Sequence, residues 1–181
     1  MRLISLEKIP GLVIDLVYAT PHNFTGKTVY PASAKAYLQK GSAKRLQRVQ
    51  AALQKRGIGL KILDAYRPLS AQKKFWELVP DPRFVADPAQ GSRHNRGAAV
   101  DLTLVDREGR ELPMPSAFDE FTERAHRQFA GGSPEELANR TQLEEAMARE
   151  GFLLYPDEWW HFDDPEWERY PVLDLSFEEL Q

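Results

Sequence analysis

Cysteine is missing from this sequence altogether. Disulfides and thiolate-ligated zinc centres are therefore excluded, and any tight transition-metal site must be made of His, Asp and Glu. Histidine is scarce as well: His22, His94, His126 and His161 are the only four in 181 residues. Long apolar runs are also lacking. Leu12–Ile14 is typical of those present, whereas a spanning helix needs about 20 apolar residues, so no membrane partner is expected. Nor is there an excess of one charge. The net charge of -3 offers no basic stripe for nucleic acid or an anionic surface. Glu7, Lys8 and Pro10 interrupt the N-terminal apolar residues too early for a signal-peptide core, which reads as a cytoplasmic chain.

What is present is an ordinary globular balance, 42% hydrophobic and 28% charged, on a length that suits one domain over residues 1–181. Leu12–Leu16 reads as a strand, and Tyr18–Ser33, with Pro21, Gly26 and Pro31, as a loop. A helix capped by Ser42 runs to about Arg56 with Leu46, Val49 and Leu53 as its apolar stripe, and Gly57 ends it. Leu60–Tyr66 is a strand stopped by Pro68, followed by a helix over Ser70–Leu78. Asp81–Arg96 is irregular. Ala98–Val105 is the clearest strand, followed by a turn at Asp106–Gly109 and a short helical piece near Phe118–Phe129. Ser133-Pro134-Glu135-Glu136 is a capping box that opens a helix to about Glu150. Phe152–Tyr155 and Trp159–Phe162 form a hairpin around Pro156-Asp157. The mixture without strict alternation gives an α+β fold, with a mostly antiparallel sheet and helices packed on it.

Chemistry concentrates in two segments. In the strand over 98–105, alternation puts Ala99, Asp101 and Thr103 on one face and the apolar Val100, Leu102 and Leu104 on the other. Small neighbours leave space beside the Asp101 carboxylate. His94 lies upstream, and Gly97 between them allows the bend that would bring the imidazole to the strand's polar face. A buried unpaired aspartate is costly. Either a cation or an arginine, Arg93 or Arg96, would relieve it. The second segment is Glu158-Trp159-Trp160-His161. Two imidazoles and a carboxylate make three N/O ligands, which leave the fourth position of a tetrahedral zinc open to water, as in catalytic sites. Glu158, three residues before His161, belongs in the turn ahead of the strand. It is either a base leaning over the metal or a solvated turn residue.

Ser92-x-His94 followed by Gly97-x-Ala99-x-Asp101-Leu102-Thr103-Leu104, and some sixty residues later by Glu158-Trp159-Trp160-His161, resembles the zinc D-alanyl-D-alanine dipeptidases. These share a fold group with the D,D-carboxypeptidases and the Hedgehog amino-terminal domain. Asp15-x-x-Tyr18-Ala19-Thr20 with Asn23-Phe24-x-Gly26, then Asp64-Ala65-Tyr66-Arg67-Pro68 and Phe118-Asp119, extend the resemblance from about residue 12 to residue 162. It implies one Zn2+ held by His94, Asp101 and His161, with Glu158 as general base. Arg67 would sit on the developing oxyanion, where a permanently charged donor is effective. The otherwise expected role for Arg67 is a surface ion pair. Asp119, with Ser92 nearby, would bind the substrate's free ammonium; without that role it would start the short helix. Tyr18 and Asp64 would touch the substrate or stand just behind the groups that do; without that role they would simply support the fold. His22 and His126 have no part in the pattern. The implied partner is a small dipeptide, and a homodimer is compatible with it.

Two other readings share these residues. A D,D-carboxypeptidase or cell-wall endopeptidase needs the same zinc site, but its substrate carries no nearby free ammonium for Asp119. A non-catalytic zinc-binding module needs the ligands without Glu158 or Arg67. The loop at 80–90 and the tail after His161 carry no assigned chemistry.

Overall fold

The computed structural model describes residues 2–181. Its main sheet has five strands: β2 (Val13–Ile14), β4 (Gly59–Asp64), β5 (Ala99–Val105), β6 (Leu153–Leu154) and β7 (His161–Asp163), in the order β2-β4-β5-β7-β6. Only β2 and β4 run parallel; the other three pairings are antiparallel. A second, two-stranded sheet pairs β1 (Leu3–Ser5) with β3 (Tyr37–Gln39). The expected mostly antiparallel α+β architecture is thus the observed one.

Three helices accompany the sheets among the described residues: α1 (Lys40–Gln54), α2 (Leu69–Leu78) and α3 (Pro134–Arg149). Leu46, Val49 and Leu53 of α1 and Leu143 and Met147 of α3 join Val100, Leu102, Leu104 and Phe162 in the core. The expected apolar face of β5 is therefore the helix-covered one. No helix among them is long and apolar enough to cross a membrane. The α3 capping box forms as its sequence implies: the Ser133 hydroxyl accepts from the Glu136 amide, and the Glu136 carboxylate accepts from the Ser133 amide.

Three expectations need correction. Ser42 does not cap α1. The helix begins three residues earlier, after Gln39, and the Ser42 hydroxyl donates instead to Asp164 at 2.7 Å. No helix forms over Phe118–Phe129 beyond one 3-10 turn at Glu123–Ala125: Asp119, at the start, takes a positive φ of 57° that a helix excludes, and the Arg127 amide donates to the Pro156 carbonyl rather than back along a helix. The strand expected over Leu12–Leu16 shrinks to two residues.

The tail after His161 is built into the fold. The Leu173 amide donates to the Asn95 carbonyl, the Tyr66 and Tyr37 hydroxyls donate to the Leu175 and Leu180 carbonyls, and Phe177 enters the core.

Candidate active site

Register across three neighbouring strands creates the site. Asp101 on β5 stands directly opposite His161 on β7 and, across a bulge after Ile62, opposite Asp64 on β4. Side chains at directly opposed positions share a face, so the sheet itself aligns a carboxylate, an imidazole and a second carboxylate. His94 arrives from outside the sheet, on a one-turn 3-10 helix closed by Gly97 with a φ of 63°. The positive φ makes the bend depend on glycine, and a Cβ there would also push aside the end of the Leu3 side chain, 2.4 Å away. The Arg67 amide donates to the His94 carbonyl and the Asn95 side-chain amide to the Arg67 carbonyl, stitching this turn to the end of β4.

The donors converge. His94 Nε2 lies 3.2 Å from His161 Nδ1 and 3.3 Å from the Asp101 carboxylate, and His161 Nδ1 lies 2.9 Å from Asp101 Oδ1. Two ligands each about 2.0–2.1 Å from a tetrahedral ion sit roughly 3.3 Å apart, so the spacing fits a zinc ion with little rearrangement. Each imidazole also has its other nitrogen occupied. His94 Nδ1 donates to the Ala65 carbonyl at 2.7 Å, and His161 Nε2 donates to Asp163 at 2.9 Å. That leaves His94 Nε2 and His161 Nδ1 facing Asp101, where a cation can take the place of a proton between them. Arginine does not satisfy Asp101: Arg93 pairs with Asp163, and Arg96 donates to the Tyr170 carbonyl.

The charges agree with this arrangement. Burial opposes the Asp101 charge, but the two imidazoles outweigh it and hold the carboxyl below its usual range. Burial also works to lower the His161 pKa. Asp101 and Asp163 outweigh it and raise it to about 10. A negative field strong enough to hold a proton there equally favours a dication.

A cavity of about 240 Å³ opens beside these donors and is lined by His94, Asp101, His161, Glu158, Arg67, Asp119, Ser92 and Tyr18. All nine residues singled out from the sequence are accounted for: eight line the cavity, and the ninth, Asp64, lies behind Arg67. Glu158 occupies the turn before β7, with Oε2 3.8 Å from His161 Nδ1. It is half-buried rather than a solvated turn residue, and burial raises its carboxyl pKa against the pull of His161.

Arg67 makes no surface ion pair. It is buried, with Nη2 2.6 Å and Nε 3.1 Å from Asp64 Oδ2, and Nη1 2.7 Å from Gln72 Oε1. Its guanidinium also lies 4.7 Å from the Phe75 ring centroid. Burial would lower its pKa, but Asp64 and the surrounding groups raise it further, so the charge persists. The Tyr18 hydroxyl donates to Asp119 Oδ2 at 2.7 Å, and the Ser92 hydroxyl accepts from the His94 amide at 3.2 Å. His22 and His126, which have no part in the pattern, are exposed.

Sequence reasoning missed Asp163, Tyr30, Gln72 and the aromatic wall. Asp163 follows His161 by two residues, and strand alternation would have placed it on the same face. Tyr30, which donates to Asp64 at 2.8 Å, and Gln72 leave no comparable local signal. The loop at 80–90 forms one wall of the cavity through Pro82–Ala86, with Phe84 against Phe121.

A His/Asp/His cluster beside a carboxylate and a buried arginine is the arrangement of a metallopeptidase. The chain belongs to the peptidase M15 family of D-Ala-D-Ala dipeptidases, whose model matches residues 2–178. It is 42% identical to a D-alanyl-D-alanine dipeptidase of Escherichia coli over 97% of this chain and 91% of that protein. It is 34% identical to a D-alanyl-D-alanine dipeptidase of Enterococcus faecium over 88% of this chain and 90% of the other. Among solved structures, VanYB in complex with D-alanine-D-alanine is 17% identical, with a TM-score of 0.49 over 74% of this chain and 75% of that one.

Proposed function

We infer that this chain hydrolyses D-Ala-D-Ala to two D-alanines with a single zinc ion held by His94 Nε2, the Asp101 carboxylate and His161 Nδ1. The observation that carries the reading is the convergence of those three donors within 4.8 Å of one another, in one cavity with Glu158, Arg67 and Asp119. Bound there, zinc supplies Lewis acidity toward the attacking water and the scissile carbonyl.

The chain's own residues do the rest. Glu158 takes the proton as water adds to the carbonyl carbon, and passes it to the leaving amine as the C–N bond breaks. Its raised pKa makes it a better proton acceptor than an exposed glutamate. Arg67, fixed by Asp64 and Gln72, donates to the oxygen that gains negative charge. Because the guanidinium is already oriented, that stabilisation needs no reorganisation. Asp119, held by Tyr18, receives the substrate ammonium, with Ser92 on the adjoining wall. The cavity's about 240 Å³ falls below the roughly 300–1,000 Å³ usual for drug-sized ligands, which suits a dipeptide of two small residues.

Incubation of the zinc-loaded chain with D-Ala-D-Ala and with its N-acetylated form tests the reading. D-Alanine release from the free dipeptide and almost none from the acetylated one is expected. Turnover of the capped peptide alone would instead favour a carboxypeptidase.

A further inference from the structure

Asp163 is almost completely buried, and its two carboxylate oxygens serve different halves of the site. Oδ1 accepts from His161 Nε2 at 2.9 Å, while Oδ2 is paired with Arg93 Nη1. Arg93 is adjacent in sequence to His94. Its carbonyl accepts from the Arg96 and Ala98 amides, so it belongs to the turn that presents the first histidine. Asp163 therefore joins the β7 segment carrying His161 to the turn carrying His94. Trp167, in the tail, covers the far side, with its ring centroid 4.5 Å from the Arg93 guanidinium carbon.

The two histidines are oriented differently. His94 donates its second N–H to a backbone carbonyl, which fixes tautomer and ring angle but adds no charge. His161 donates to a carboxylate, which does both and also makes the imidazole a stronger electron donor. With Asp101 on its other side, His161 would sit between two uncompensated anions, and Arg93 neutralises one of them.

We propose that Asp163 and Arg93 form a positioning pair that fixes His161 with Nδ1 toward the metal and locks the two ligand-bearing segments together. Asp163 acts through His161, and Arg93 acts through Asp163. The inference rests on the metal site proposed above.

Zinc affinity of the full chain, measured by competition with a chromophoric chelator, and the visible absorption of the cobalt(II)-substituted protein test it. Asp163→Ala is expected to weaken zinc by about 10- to 100-fold and to shift the cobalt spectrum, with KM for D-Ala-D-Ala little changed at saturating zinc. Arg93→Ala is expected to weaken zinc by a smaller factor. The double variant should bind no more weakly than Asp163→Ala alone. Should Asp163→Ala not fold, Asp163→Asn keeps the shape while removing the charge and the ion pair, and is expected to weaken zinc in the same sense. Wild-type affinity and an unshifted cobalt spectrum in the folded Asp163 variant would overturn the proposal. So would additive losses in the double variant. A wild-type chain that takes up no zinc would overturn the metal site itself, and the pair with it; normal uptake unaffected by Asp163 removes only the pair.

Discussion

The Tyr18 hydroxyl donates to Asp119 Oδ2 at 2.7 Å across 101 positions of chain, and Asp119 holds this contact in a left-handed backbone conformation. Non-glycine residues enter that region at a cost, aspartate and asparagine least. The backbone therefore trades local comfort for a carboxylate directed into the cavity.

Asp119→Asn preserves the backbone preference and an oxygen for Tyr18, and removes only the charge. It is expected to lower kcat/KM for D-Ala-D-Ala by about 10- to 100-fold, mainly through KM, as the loss of a charge-assisted contact implies. Steady-state kinetics at saturating zinc measure this; an unchanged KM would detach Asp119 from the ammonium.

The same carboxylate gives a pH signature. Burial raises its pKa well above the usual value, with the Tyr18 hydrogen bond working against the shift. The charged form binds ammonium, so KM should fall as pH rises through the raised pKa. Stability should move the other way. A carboxyl raised on folding favours the folded state below its unfolded pKa, and that contribution is lost as pH rises through the folded value. Asp119→Asn should therefore raise Tm at neutral pH and lose this gain in acid. Equal Tm differences at both pH values would contradict the sign.

Arg67→Lys should lower kcat by about 10²- to 10³-fold with a small change in KM, the range for loss of an oxyanion donor. Lysine cannot reproduce the hold on both Asp64 and Gln72. Arg67→Ala is expected to cost about 3–5 kcal/mol of stability as well, because the buried Asp64 loses its counter-charge. Denaturant melts separate the two effects; a Lys variant with wild-type kcat would remove Arg67 from the chemistry.

The site was legible where the pattern is local or periodic. Asp101 follows from the alternation of β5, and the start of α3 from its capping box. The small β1–β3 sheet was not, because Tyr37–Gln39 is buried at all three residues and so shows no alternation. Ser42 misled for a different reason: a hydroxyl near a helix start reads as a cap until a distant partner, Asp164, claims it. Asp64 was visible, but its role in orienting Arg67 depends on the bulge after Ile62, which no residue type announces. Tyr30 and Gln72 meet Asp64 and Arg67 only through tertiary packing.

Glu158→Gln separates metal binding from proton transfer. The amide is neutral at every working pH and cannot accept the proton, while His94, Asp101 and His161 remain. Zinc content should stay at one ion per chain while kcat falls by about 10²- to 10⁴-fold. In the unaltered chain, burial raises the Glu158 pKa, so kcat should decline on the acid side from a higher pH than an exposed glutamate would give. Metal analysis and a pH–rate profile check both points; a Gln variant retaining full turnover would exclude Glu158 as the base.

The loop at 80–90 should set substrate breadth. Phe84 stacks against Phe121 at 4.9 Å, Phe121 meets Phe24 at 5.4 Å edge to face, and Phe24 meets Phe75 at 5.5 Å. Phe75 in turn lies under the Arg67 guanidinium, so the wall that limits the side-chain space also braces the oxyanion donor. Phe84→Ala opens the outer end of this aromatic row without touching its inner end. Turnover of dipeptides with larger side chains should therefore rise relative to D-Ala-D-Ala, by about 10-fold or more per methylene accommodated. Loss of D-Ala-D-Ala turnover should stay within a few-fold, because Arg67 remains fixed by Asp64 and Gln72. Competition assays on a graded series of D,D-dipeptides measure the ratio. An unchanged ratio would move the determinant of side-chain size away from this wall.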